Sequence, residues 1–106
     1  MSKFLFKANY TQAGLEGLIG KGAASRVTAI NELTASVGGT IESIHYALGD
    51  TDLYVISDLP DDEAAAGLAL KVSAAGGATV ETVKLLTPEQ IDEAIGRQVT
   101  YRPPGS

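Results

Sequence analysis

The chain predicts an α+β fold in the element order β-α-β-β-α-β with a short terminal helix, and three observations predict it. A run too rich in aromatic and large apolar residues for a helix opens the chain. Two helical stretches each stop at a Gly-Gly pair, Gly38-Gly39 and Gly76-Gly77. The turn Gly49-Asp50-Thr51-Asp52, all small or acidic, separates two strand-like runs.

Lys3 to Tyr10 is the first strand, dense in Phe4, Leu5 and Phe6. Thr11 offers an N-cap hydroxyl. From Gln12 to Val37 the apolar residues Leu15, Leu18, Ile19, Ala23, Ile30, Leu33 and Val37 mark one helix face, with a kink or short break at Gly20-Lys21-Gly22, where two poor helix formers lie close together. Gly38-Gly39 supplies the C-cap. Thr40 to Leu48 and Leu53 to Leu59 form an antiparallel pair across the acidic turn, and Pro60 ends the second strand. Asp61-Asp62-Glu63 places carboxylates at the start of a helix running to about Ala75, where the dipole favours them. Its alanine-dense face lets it approach a sheet closely. Ala78 to Leu86 is the last strand. Thr87-Pro88-Glu89-Gln90 combines an N-cap, a proline at the first helical position and a polar follow-up, opening a short helix to about Arg97. Residues 1–98 make one domain, and 99–106 an extended tail. This order is the split β-α-β pattern of a ferredoxin-like sandwich, a four-stranded antiparallel sheet with its helices on one face.

Composition narrows the function classes. The chain has 106 residues, 44% hydrophobic and 20% charged, which is globular. Its formal charge of −5 repels phosphate backbones and anionic lipid, and its eight basic residues are scattered, so neither nucleic acid nor membrane is an expected partner. Cysteine is absent, excluding disulfides, thiolate catalysis and iron–sulfur clusters. No basic-then-apolar leader opens the chain, and no apolar run approaches the roughly 20 residues of a membrane span, so the expected compartment is the cytoplasm. No cofactor is expected. The glycines Gly14, Gly17, Gly20 and Gly22 lack phosphate-loop spacing, and no serine sits in a nucleophile elbow.

Read with period two, the strands carry apolar residues on both faces. Phe4, Phe6 and Ala8 oppose Leu5; Leu53 and Val55 oppose Tyr54 and Ile56; Val83 and Leu85 oppose Val80 and Leu86. On the second strand Ile41, Ser43, His45 and Ala47 oppose Glu42, Ile44, Tyr46 and Leu48. A sheet with one wet side alternates cleanly. The expectation is that a second copy covers the helix-free side, giving a homodimer and leaving higher oligomers open.

Phe4-Leu5-Phe6 with Tyr10-Thr11, Ser25-Arg26, Gly38-Gly39, Gly49 with Asp52, Leu59-Pro60-Asp61, Ser73-Ala74-Ala75-Gly76 and Leu85-Leu86-Thr87-Pro88-Glu89 together resemble the GYD-domain family over nearly all of Lys3 to Glu93. That family is named for a Gly-Tyr-Asp signature in the hairpin turn. Thr51 stands here in place of the tyrosine. The resemblance implies a fold similar to the dimeric α/β-barrel superfamily, in which two ferredoxin-like sheets face each other around a cavity, and it assigns no reaction.

The polar candidates each have two or more readings. His45, the only histidine, excludes a two-histidine metal site within one subunit; it is either an acid, base or donor in an intersubunit cavity or a structural or surface residue. Arg26 falls in an apolar stripe, where it binds an anion, pairs with a carboxylate or escapes to solvent through the glycine kink. Lys7 and Asn9 share one strand face and line either a cavity, with Tyr10 or Tyr46 at its rim, or a dimer seam. Asp50 and Asp52 hold a hard cation or simply form the turn. No catalytic set and no metal site is assigned. Three functions remain open: a small-molecule binding or accessory module, a cofactor-independent enzyme of the monooxygenase or isomerase kind using His45, Arg26, Asn9 and tyrosines, and a purely structural assembly protein.

Overall fold

The computed structural model describes residues 1–105, and Ser106, at the end of the expected tail, lies outside the described residues. The strands are β1 (Ser2–Tyr10), β2 (Thr40–Tyr46), β3 (Leu53–Leu59) and β4 (Ala78–Leu85); the helices are α1 (Gln12–Lys21), α2 (Ala23–Ala35), α3 (Asp62–Ala75) and α4 (Pro88–Gly96). The four strands form one antiparallel sheet in the order β2-β3-β1-β4, the ferredoxin-like arrangement.

Hydrogen bonding to β3 and β4 on its two sides fixes β1 at the centre and commits each of its side chains to one face. Phe4 and Ala8 are buried with Leu53, Val55 and Leu59 of β3 beneath Ile30 of α2 and Ala65 and Leu68 of α3. Burying a side chain such as Leu59, which has no exposed surface, is worth roughly 1.5–3 kcal/mol.

Local chemistry explains the helix boundaries. The Thr11 hydroxyl accepts from the Gly14 amide at 3.2 Å, and the Asp61 carboxylate accepts from the Ala64 amide at 2.8 Å. Thr87 and Gln90 complete a reciprocal capping box. Gly22, at φ +85°, breaks the first helical stretch into α1 and α2. The consequence departs from the single apolar face expected there. Ile30, Leu33 and Val37 pack on the sheet, whereas Leu15, Ile19 and Ala23 are exposed, because the break re-aims α1. Gly14 must be glycine for a different reason: a Cβ there would overlap the Gly77 carbonyl, where α1 presses on the α3–β4 turn.

A second departure lies in β2. A β-bulge between Ile41 and Ser43 slips the register, so Ile41 and Ile44 both pack on the helix side and Tyr46 follows them, while Ser43 and His45 pair with Ile56 and Tyr54 on the open side. The strict period-two split read from the sequence is therefore wrong from Ser43 onward. Leu48 and Leu86, assigned to strand faces by that reading, lie outside the strands and are exposed.

The open face is also more polar than its sequence suggests. Leu5, Ile56, Val83 and Leu85 are half-buried there, flanked by ion pairs of Lys3 with Glu42, of Lys3 with Asp58 at 3.2 Å and of Lys7 with Glu81 at 3.1 Å. Every described residue from Leu86 to Gly105 is exposed, including Ile91 and Ile95 on α4.

One polar group in the core has no partner. The Ser57 hydroxyl, between Phe4 and Ile41 in the register of β3, is fully buried and makes no hydrogen bond. Removing an unsatisfied buried hydroxyl relieves its desolvation cost. Ser57→Ala is expected to raise stability in urea unfolding by about 1 kcal/mol; a loss of similar size would mean that the hydroxyl is satisfied in solution.

Candidate functional site

A cavity lies between the sheet and the helices, on the side away from His45. Phe6, Ala8, Val55 and Val80 form its floor; Ile30 and Leu33 of α2 and Leu68 and Val72 of α3 form its walls. It encloses about 80 Å³, is partly open to solvent, and is apolar apart from Arg26, Tyr10 and Thr34. The space follows from small residues: Ala69 and Ala78 line it where larger side chains would fill it.

Thr34 is satisfied, its hydroxyl donating to the Ile30 carbonyl at 2.8 Å. Arg26 is not. It projects from α2 into the cavity wall, its Nε is buried without a hydrogen-bond partner, and among the described residues no carboxylate comes within 4.0 Å of its guanidinium. Of the three fates read for Arg26, the internal ion pair is therefore absent among the described residues. Beside this group Tyr10 and Tyr46 stack with ring centroids 6.4 Å apart, and their hydroxyls meet at 3.3 Å. Partial burial, reinforced by the hydrogen bond with Tyr10, pushes the Tyr46 phenol up to about 12, with the Arg26 charge pulling the other way. At neutral pH Tyr46 therefore keeps its proton.

The expected site residues divide between two faces. Arg26, Tyr10 and Tyr46 gather on the helix side, whereas His45, Lys7 and Asn9 belong to the open side. Lys7 and Asn9 do not share a cavity with the tyrosines. They border instead an open polar depression of about 350 Å³ with Asp50, Thr51, Thr79 and Glu81. Hydrogen bonding to Glu81, followed by the charge of Glu81, raises Lys7 above its ordinary value. His45 is exposed beside Tyr54.

The turn residues act as a latch. The Asp52 carboxylate accepts from the Tyr10 amide at 2.9 Å, and the Asp52 amide donates to the Asn9 side-chain oxygen at 3.0 Å and to the Ala8 carbonyl at 3.2 Å. Asp52 thereby ties the hairpin to the end of β1, and Gly49, at φ +142°, allows the reversal. Thr51, within the turn, is buried. Among the described residues no three His, Asp or Glu side chains are grouped to hold a metal ion. No described helix is long and apolar enough to cross a membrane.

Sequence reasoning missed the cavity itself, since its lining comes from five elements. The signal within reach was the pairing of an alanine-dense helix with an arginine in an apolar stripe. Because the folded chain holds the Tyr46 proton more tightly than the unfolded chain does, this contribution to stability is present below pH 10.0 and is lost as pH rises toward about 12. In thermal unfolding across that window, the unmodified protein is expected to lose stability more steeply than Tyr46→Phe. Parallel curves would show that Tyr46 titrates normally.

No curated protein and no solved structure matches the chain. The GYD domain family model matches residues 4–95, nearly all of the sheet, its helices and α4. The chain belongs to the GYD-domain family.

Proposed function

We propose that the protein is a cytoplasmic small-molecule binding or accessory module that works as a homodimer, each chain holding its ligand between sheet and helices. The cavity carries this reading: an apolar chamber with a few converging polar groups is the usual form of a ligand site. At about 80 Å³ it is roughly half of the 150 Å³ that accommodates benzene. The ligand it suits is small.

Surface area supports the second copy. The chain exposes 7239 Å², whereas a folded monomer of this mass exposes about 5,600 Å². Its radius of gyration is 17.0 Å against about 13 Å for a compact domain of this length. The excess, roughly 1,600 Å² on one chain, is about twice the 800 Å² per partner that a standard-size interface buries, and the exposed α4 and the residues after it contribute to it. The apolar surfaces available to the twin are the Leu5, Ile56 and Val83 patch of the open face and the Ile91 and Ile95 stripe of α4.

The enzyme reading is weaker, because His45 and Arg26 lie on opposite faces of the sheet and cannot meet one substrate within a chain. A purely structural role leaves the cavity and the buried, unsatisfied Arg26 Nε without a use.

Short-chain alcohols and amides at a hundredfold excess over Kd are expected to raise stability by about 2.7 kcal/mol, read as a thermal shift. Ala69→Leu, which fills the chamber, is expected to abolish that shift while leaving the circular dichroism unchanged. Absence of any shift in the unmodified protein, with small organic anions as well as with alcohols and amides, would refute the binding reading. In sedimentation velocity at micromolar concentration the protein is expected to run as a dimer and Ile56→Lys as a monomer. An unmodified protein that runs as single subunits would remove the twin and leave the cavity untouched.

A further inference from the structure

We infer that the ligand is a short-chain aliphatic monocarboxylate, its carboxylate on the Arg26 guanidinium and its hydrocarbon tail in the chamber between α2, α3 and the sheet. This rests on the cavity being the binding site, and it adds the chemical class of what the cavity takes.

Charge supplies the first argument. A guanidinium is ionised at every physiological pH, and placing one against apolar walls is costly unless an anion answers it. Arg26 stands in that position with no carboxylate within 4.0 Å among the described residues. The chain has carboxylates to spare, thirteen against eight basic side chains, and Lys3, Lys7, Lys84 and Arg97 each have one. Lys21, Lys71 and Arg102 also lack a carboxylate within 4.0 Å but are exposed, so among the described residues Arg26 is the unpaired basic side chain that is partly buried.

Geometry supplies the second. The donor left unsatisfied is Nε, and the planar two-point contact between arginine and carboxylate can use Nε–H together with a terminal N–H. A planar monoanion with two oxygens fits that fork. A dianion would carry a second charge that one guanidinium does not neutralise, inside a protein whose net charge is already −5. Tyr10, which lines the chamber with Arg26, and Tyr46, whose phenol feels the Arg26 charge, hold their hydroxyls 3.3 Å apart and supply a neutral donor alongside.

Volume supplies the third. About 80 Å³ takes a tail of only a few carbons when a benzene-sized guest needs roughly 150 Å³. Propionate and butyrate suit it, and hexanoate is too long to be enclosed.

The test compares butyrate with butyramide, equal in heavy-atom count and nearly equal in shape, by isothermal titration calorimetry on the full chain. Butyrate is expected to bind at least about tenfold more tightly than butyramide, the margin of a charge-assisted hydrogen bond over a neutral one. Hexanoate and inorganic phosphate are expected to bind more weakly than butyrate. Arg26→Gln is expected to bring butyrate down to the level of butyramide without changing butyramide itself. Equal binding of butyrate and butyramide by the unmodified protein overturns the carboxylate assignment while the cavity reading stands, and that comparison needs no variant to fold. Phosphate binding as tight as butyrate also overturns it, in favour of a general anion site. Binding of none of these probes, together with no thermal shift from alcohols or amides, removes the cavity reading and this inference with it.

Discussion

The pleat of β1 is the constraint from which the rest of the molecule follows. Because this strand is paired along both edges, it cannot rotate to suit its side chains, and alternate residues are committed to opposite environments. Phe4, Phe6, Ala8 and Tyr10 must meet helices; Lys3, Leu5, Lys7 and Asn9 must meet whatever lies beyond the sheet. The step from large Phe6 to small Ala8 on the helix side leaves room in the middle of the sandwich, and Tyr10 closes the same row at its end. The cavity is thus a property of the central strand's sequence, extended by alanines on α3 and β4.

Two contacts hold this arrangement in register. Asp52 joins the hairpin to the end of β1 through three hydrogen bonds. At the same end of the strand, Thr11 donates from its hydroxyl to the Gly76 carbonyl at 2.7 Å and from its amide to the Gly77 carbonyl at 3.0 Å. Both anchor Tyr10 from its flanks, so the tyrosine beside Arg26 is held by backbone rather than by its ring alone. The acidic turn read from the sequence as a possible cation site thus has a mechanical role that leaves the Asp52 carboxylate occupied.

Local chemistry was legible in the residues themselves. The caps at Thr11 and Thr87, the glycine stop at Gly76, the strand rich in Phe4 and Phe6 and the reversal at Gly49 each depend on neighbours within four residues and stand where the sequence placed them, whereas α2 ends at Ala35 with Ser36 as its C-cap, ahead of the Gly38-Gly39 pair expected to cap it. What was not legible depends on register between distant segments. The bulge at Glu42 reverses the faces of Ile44 and Tyr46 and separates His45 from Arg26. No counting along one strand reveals an extra residue whose partner is on another. Likewise Lys3 reads as a lone cation until β2 and β3 bring Glu42 and Asp58 beside it. The candidate residues read as one group fall on two faces of the sheet, since grouping requires the pleat of every strand at once.

The capping box of α4 has a consequence of its own. A nine-residue helix falls below the roughly 12–15 residues that an isolated helix needs to persist in water, and this one buries nothing. Thr87, Gln90 and Pro88 therefore hold a single marginal coil of backbone in shape against fraying. In an isolated chain its amide protons are expected to exchange with solvent before those of the sheet.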